Sequence, residues 1–286
     1  MAVYKRTYKG YSGPLTRPGW RFLVLQRYAF RSLFQSRFLL IGYVGCFFVP
    51  LILLLFLYLN QNATVLALVG QKVGFVKVNG SFFLNFLTVQ GVLAGLLTAF
   101  VGPGLVAPDL TNGALSVYLS RPFSRAEYIL GKGMVLGSLI GSITLLPGLL
   151  LFGVQSELVG YKWFEDNLYL GTGVLVTSLV VIAVFVLLGL AMSAFVRWRI
   201  VAGALVLAVF AAGKGFGAVI NNVMRTENGL YLDLQHLIST VAAELLRQSR
   251  EDDPISGTSA GIAIAVFCGA LLLLINRKLR VCEVAG

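Results

Sequence analysis

The chain has 286 residues, of which 57% are apolar and only 12% are charged. Soluble domains have about a quarter of their residues charged, so this composition excludes an ordinary soluble protein and indicates a protein of the lipid bilayer. The net charge of +11 does not indicate nucleic-acid binding, because the excess cations flank apolar stretches, where they set topology and contact anionic headgroups. We therefore expect membrane lipid, and no nucleic acid, among its partners.

The chain divides into three parts: an arm (residues 1–37), a transmembrane domain (38–276) and a short tail (277–286). The arm has eight Lys or Arg and no acidic residue. Its second half places apolar residues on one helical face and Arg27 and Arg31 on the other. This pattern predicts an amphipathic helix lying in the membrane interface; the alternative is an extension of the first span into the cytoplasm.

Six apolar stretches are long enough to cross a bilayer. They lie at about residues 38–59, 86–107, 133–154, 171–196, 200–219 and 255–276. The connections on one side of the membrane carry sixteen Lys or Arg, and those on the other side carry six. Because basic connections stay in the cytoplasm, we expect both termini there. The predicted fold class is an all-α, polytopic six-helix membrane bundle.

The connection before the last span predicts an external helix. Six apolar residues share one helical face there: Leu230, Leu234, Leu237, Ile238, Val241 and Leu245. Such a helix either lies on the membrane or caps a transport path. Within three spans, small residues recur at a spacing of four, which predicts closely packed helices. They are Gly91 and Gly95; Gly133, Gly137 and Gly141; and Gly261, Ala265 and Gly269.

The sequence contains no catalytic pattern, and we expect no cofactor or metal ion on this chain. His236 is the only histidine, which excludes a His-based metal cluster, and on an external helix it is expected to be solvated or interfacial. Two Gly-Lys pairs lack the preceding Gly and the following Ser or Thr of a phosphate-binding loop. The chain is therefore predicted not to be an enzyme, and any energy source must be another chain or an ion gradient.

The connection between the second and third spans, residues 108–132, is the most informative segment. Asp109 or Thr111 can cap a short helix there, which Pro122 would end. A short rigid helix at the membrane surface suits the docking of a partner that pushes on the bundle. The alternative is an ordinary re-entry loop held by interfacial Arg and Tyr side chains.

Residues 119–132, together with 109–115 upstream, resemble the segment after the second span in permease subunits of the type-2 ABC transporter family. The layout of amphipathic N-terminal helix, six spans and external helix is also similar. The resemblance implies a permease subunit of an ATP-driven exporter in the bacterial cytoplasmic (inner) membrane. It further implies a second permease chain, identical or homologous, and a separate ATPase subunit that carries ATP and Mg.

The resemblance also implies that the ATPase contacts this connection. The residues that would carry the contact are Asp109, Asn112, Leu115, Tyr118, Arg121, Pro122, Arg125, Glu127 and Lys132.

Lys214 is the one charged residue well inside a predicted span. At 1.5 Å per residue it lies about 21 Å beyond Ile200, in a hydrocarbon core about 30 Å thick. Its ammonium group either snorkels to the outer headgroups or faces the translocation path or dimer seam and binds an anionic group there.

Two other functions fit a polytopic membrane protein: an ion-gradient-driven transporter or channel, and a non-transporting anchor of an assembly complex. Ion coupling generally requires acidic residues within the membrane. No Asp or Glu lies within the six predicted spans, which argues against the ion-coupled function.

Overall fold

The computed structural model describes residues 21–61, 78–113, 124–196, 198–248 and 253–284, and every regular element within them is a helix. In chain order the helices are α1 (Arg21–Leu33), α2 (Arg37–Gly45), α3 (Phe48–Gln61), α4 (Gly80–Val101), α5 (Pro103–Thr111), α6 (Arg125–Ile143), α7 (Leu145–Val159), α8 (Tyr161–Asp166), α9 (Leu168–Phe195), α10 (Arg199–Met224), α11 (Leu234–Leu245) and α12 (Gly257–Val284). A 3-10 helix, Asn228–Leu232, precedes α11.

Six helical stretches are long and apolar enough to cross a bilayer, and they are numbered here as spans 1 to 6. They are Arg37–Asn60, Gly80–Thr111, Ala126–Val159, Leu168–Phe195, Arg199–Met224 and Gly257–Lys278. The prediction of an all-α, six-span membrane bundle is therefore confirmed.

Spans 2, 3 and 4 form the centre of the chain. More than half of the residues in their most apolar windows are buried, against 11% for span 1 and 22% each for spans 5 and 6. Span 4, which is α9, packs against α4, α6 and α12. The apolar outer faces of spans 1, 5 and 6 therefore face lipid or another chain.

The glycines of α6 let it approach α9 closely. A Cβ added at Gly133, Gly137 or Gly141 would lie 3.1 to 3.5 Å from the side chains of Val186 and Ile182. The predicted close packing is present here. In the single chain the glycines with the same spacing in α12, Gly261 and Gly269, face open space.

The spans alternate between two ends of the bundle. Lys278 of α12 lies over the ring of Phe195 at the end of α9, 5.8 Å from its centre. Ser81 at the start of α4 donates a 2.6 Å hydrogen bond to Gln248, which follows α11. We call the first end, which contains the start of span 1 and the end of span 6, the basic end, and the other the opposite end.

Helix α1 is separate from span 1. Ser36 between them has an extended backbone (φ −83°, ψ 110°), and α1 packs mainly against α6. Its Phe30 and Leu33 contact the apolar core, while Arg27 and Arg31 are exposed. This arrangement rules out a continuous extension of span 1 and matches an amphipathic helix with its charges turned outward.

Helix α11 is folded onto the bundle. It packs against α12, α9 and α4, and Leu234, Leu237 and Ile238 are buried. The alternative in which this helix lies free on the membrane surface is therefore wrong. Its apolar face covers the ends of spans 2, 4 and 6 because those ends offer it an apolar surface.

His236 of α11 is paired with an acid. Its Nε2 lies 3.4 Å from Oδ1 of Asp253, and Thr240 Oγ1 donates a 3.2 Å hydrogen bond to the other carboxylate oxygen. The His236 side chain is 27% exposed, so of the expected solvated and interfacial positions the partly exposed one is observed. Asp253 ties α11 to the start of span 6.

Candidate functional site

Span 2 is interrupted where it approaches the 108–132 connection. Helix α4 ends before Gly102, and α5 begins with Pro103, which has no N–H for the helical ladder. Buried Ser193 of α9 supplies the missing partners. Its hydroxyl oxygen accepts hydrogen bonds from the N–H groups of Val106 (3.0 Å) and Ala107 (2.9 Å), and its O–H donates to the carbonyl of Pro103 (3.1 Å). These bonds fix α5 to the central span.

Helix α5 brings Asp109 against the first turns of span 3. Oδ2 of Asp109 lies 2.8 Å from Nζ of Lys132 and accepts a 2.8 Å hydrogen bond from the hydroxyl of Tyr128. The side chains of Asp109 and Lys132 are only 15% and 11% exposed, and Tyr128 is buried. The Lys132 ammonium also lies 5.8 Å from the centre of the Tyr128 ring, within cation–π range. This cluster, the Asp109 clamp, joins the two ends of the connection.

The start of the connection is part of helix α5. Asp109 and Thr111 lie inside α5, and the short helix that either was predicted to cap would lie outside the described residues. Proline is tolerated in the first turn of a helix, so the helix resumes at Pro103 and continues to Thr111. The Thr111 hydroxyl donates to the carbonyl of Ala107. Asn112 follows α5 and is exposed.

A capping box fixes the start of span 3. Oγ of Ser124 accepts the N–H of Glu127 at 3.2 Å, and Oε2 of Glu127 accepts the N–H of Ser124 at 2.7 Å. This reciprocal pair satisfies two backbone donors at the helix N-terminus. Arg125 is the first residue of α6.

The nine predicted contact residues fall into three groups, of which Asp109 and Lys132, in the Asp109 clamp, form one. Asn112 and Glu127 lie close to where the described part of the connection breaks off on each side, and the backbone of Arg125 begins α6. The remaining four, and the helix that Pro122 would end, lie outside the described residues: Leu115, Tyr118, Arg121 and Pro122.

Asp109 and Lys132, the other two predicted contact residues, lie in the Asp109 clamp and pair with each other. Lys132 is buried and Asp109 is partly buried. Tyr128 was missing from the predicted set. Tyr128 lies four residues before Lys132, which puts the two side chains on the same helical face. This spacing could have identified Tyr128 from the sequence.

A cavity of about 310 Å³ adjoins the Asp109 clamp at the basic end. Helices α1, α5, α6 and α10 line it, and Tyr28, Asp109, Lys132 and Arg199 supply polar groups. Arg199 passes over Gly104, where an added Cβ would lie 3.5 Å from its guanidinium. The amphipathic helix and the connection therefore meet at one place.

Lys214 lies in the other half of the bundle. It lines a groove of about 250 Å³ between α4 and α10, with Asp233 and Gln235 at the same groove. Across the described residues, no three metal-binding side chains cluster.

These features define a polytopic helical membrane protein in which the described ends of the 108–132 connection are joined at the basic end. A family model described as "ABC-2 family transporter protein" matches residues 31–276, from the end of α1 into span 6. The chain therefore belongs to the ABC-2 transporter family and is a permease subunit of an ABC transporter. A comparison with curated proteins gives no match.

Proposed function

We propose that this chain is the permease of an ATP-driven exporter and that a separate ATPase subunit docks on the 108–132 connection. The observation that supports this most is the Asp109 clamp. A loop attached by flexible ends would absorb a push from a partner. A connection whose ends are joined by a buried ion pair (2.8 Å) and a buried tyrosine passes the displacement to spans 2 and 3.

The displacement has a route into the centre of the bundle. Helix α5 carries the clamp and is hydrogen-bonded to Ser193 of α9. Span 4 packs against both span 2 and span 3. Movement at the basic end therefore shifts the central spans together, and α1 moves with them because it packs on α6.

A second permease chain, identical or homologous, completes the translocation path in this proposal. Spans 1 and 5 have large outward apolar faces, and the Lys214 groove opens on the outside of the single chain. The ATPase subunit carries ATP and Mg. The basic end faces the cytoplasm of a bacterial cell, since Lys and Arg are retained there, so both termini are cytoplasmic.

Charge variants in the connection test the docking. We expect Arg121→Glu to weaken co-purification of the ATPase and to reduce ATP hydrolysis by the complex, because it reverses a charge at the proposed contact. Glu127→Gln removes a charge but keeps an oxygen that can cap Ser124, so it separates contact from helix capping. Glu127→Arg removes both the negative charge and the oxygen that caps Ser124. The matched control is Lys162→Glu, an equal charge reversal on exposed α8 at the opposite end.

Normal co-purification and hydrolysis with Arg121→Glu and Glu127→Arg, with all variants present in the membrane at normal levels, would make the connection an ordinary loop.

A further inference from the structure

The Lys214 groove is built on a direct backbone contact. The 3-10 helix lies so close to α10 that a Cβ at Gly213 would collide with the carbonyl of Leu232, and one at Gly217 with the carbonyl of Gly229. Only glycine permits this approach. It holds the residues that follow the 3-10 helix against α10.

The polar end of the groove is held by hydrogen bonds. Asp233 caps α11, since its Oδ1 accepts the N–H groups of Gln235 (3.0 Å) and His236 (3.2 Å). The Gln235 side chain donates a 3.3 Å hydrogen bond to the carbonyl of Thr88 on α4. The last bond connects α11 to span 2, and together these bonds give the polar end a fixed shape.

The rest of the groove is apolar. Gly91, Gly95 and Leu96 of α4 form one wall, and Leu207 and Phe210 of α10 form the other. The two glycines lack side chains that would fill the space. The Phe210 ring is stacked on Phe185 of α9, with centroids 5.2 Å apart. The groove is open sideways, toward the bilayer or a second chain.

Lys214 is the cation of the groove, and Asp233 is the acid at the same groove. None of the ion pairs within 4 Å among the described residues includes Lys214, and one carboxylate oxygen of Asp233 is engaged by the cap of α11. Lys214 lies fifteen residues after Arg199, which is about 22 Å along the helix. A cation at this depth, beside an apolar wall, attracts an anion more strongly than one in water.

We infer that this groove binds an anionic amphiphile, with a phosphate or carboxylate group at Lys214 and an apolar chain between α4 and α10. The long apolar walls match the chain, and Lys214, a cation without an ion pair within 4 Å among the described residues, matches the head. This inference deepens the proposed function, because it names the ligand class of a site in the proposed path, but its test needs neither the ATPase nor transport.

The test uses photo-cross-linking to the purified chain in phosphatidylcholine vesicles. Two probes carry a diazirine in the apolar chain: dodecyl phosphate, with one chain, and phosphatidylglycerol, with two. A diazirine analogue of dodecyl maltoside has a neutral head and is the comparison. Mass spectrometry locates the labelled residues, and we expect them on α4 and α10 around Leu96 and Leu207. Labelling there by dodecyl phosphate indicates a single-chain ligand, and labelling by phosphatidylglycerol indicates a membrane lipid.

Lys214→Met should lower this labelling at least about tenfold, as expected for loss of a charge-assisted contact, and Lys214→Arg should retain most of it. Lys162→Met removes a cation at the same end but outside the groove, and should have no effect. Equal labelling of the wild type and Lys214→Met, or equal labelling by the neutral probe, would overturn the inference.

Photolabelling of the groove and co-purification of the ATPase distinguish the two claims. Loss of anionic labelling with normal ATPase binding leaves the docking proposal intact, whereas loss of ATPase binding in the connection variants with normal labelling leaves the groove intact.

Discussion

At the scale of single residues, the Asp109 clamp joins the two ends of the 108–132 connection. Asp109 and Lys132 are 23 positions apart, and hydropathy places both only near the basic surface. Their pairing depends on the interruption of span 2 and on the register between α5 and α6, which no local pattern encodes. The sequence therefore singles out the segment and both residues, but it does not predict that they pair with each other.

The buried pair gives a stability prediction. Lys132→Met leaves the Asp109 carboxylate buried without its cation, and we expect a loss of about 3 kcal/mol in the free energy of unfolding. Adding Asp109→Asn removes the orphaned charge and should recover much of that loss. Tyr128→Phe, which deletes one hydrogen bond to the carboxylate, should cost about 1.5 kcal/mol. Denaturant unfolding in detergent measures all three, and equal stability of the single and double variants would show that the pair is not coupled.

At the scale of elements, helices are well predicted from the sequence and their interruptions are not. Long uncharged apolar runs determine the spans, and the spacing of Leu234, Leu237 and Ile238 determines α11. The sequence does not predict the surface against which α11 packs. Its apolar face fits the membrane surface and the ends of the spans equally well in sequence terms, and only packing against α9 and α12 decides between them.

Ser193 tests the interruption of span 2. Ser193→Ala leaves the N–H groups of Val106 and Ala107 without their acceptor in a buried site, so we expect a loss of about 2 kcal/mol in stability. We also expect weaker ATPase coupling, because α5 is no longer tied to α9. The matched control is Ser138→Ala, since the exposed Ser138 hydroxyl donates within its own helix, to the carbonyl of Met134. Equal losses from the two variants would contradict the special role of Ser193.

At the scale of the whole molecule, the distribution of charge predicts orientation. Cysteines are introduced into a variant lacking the native thiols, at exposed Glu165 of α8 and at exposed Ala126 of α6. An impermeant thiol reagent applied to intact cells should label position 165 and spare position 126, because the basic end faces the cytoplasm. The reverse labelling pattern would invert the orientation and place the connection out of reach of a cytoplasmic ATPase.

The six-span bundle follows from hydropathy because a long apolar helix satisfies most of its backbone hydrogen bonds internally and can therefore cross a bilayer. The Lys214 groove does not follow from it, because that groove requires α4, α10 and the segment before α11 to meet. The sequence identified Lys214 as unusual, and the structure adds the walls and the polar partners around it.

The central claim is that an ATPase docks on the 108–132 connection. A photo-reactive amino acid placed at Tyr118 in the membrane-embedded chain should cross-link to a soluble ATPase subunit, identified by mass spectrometry. The same amino acid at Tyr161, exposed at the opposite end, should give no such product. A cross-link from both positions, or from neither while the two proteins co-purify, would contradict docking at this connection.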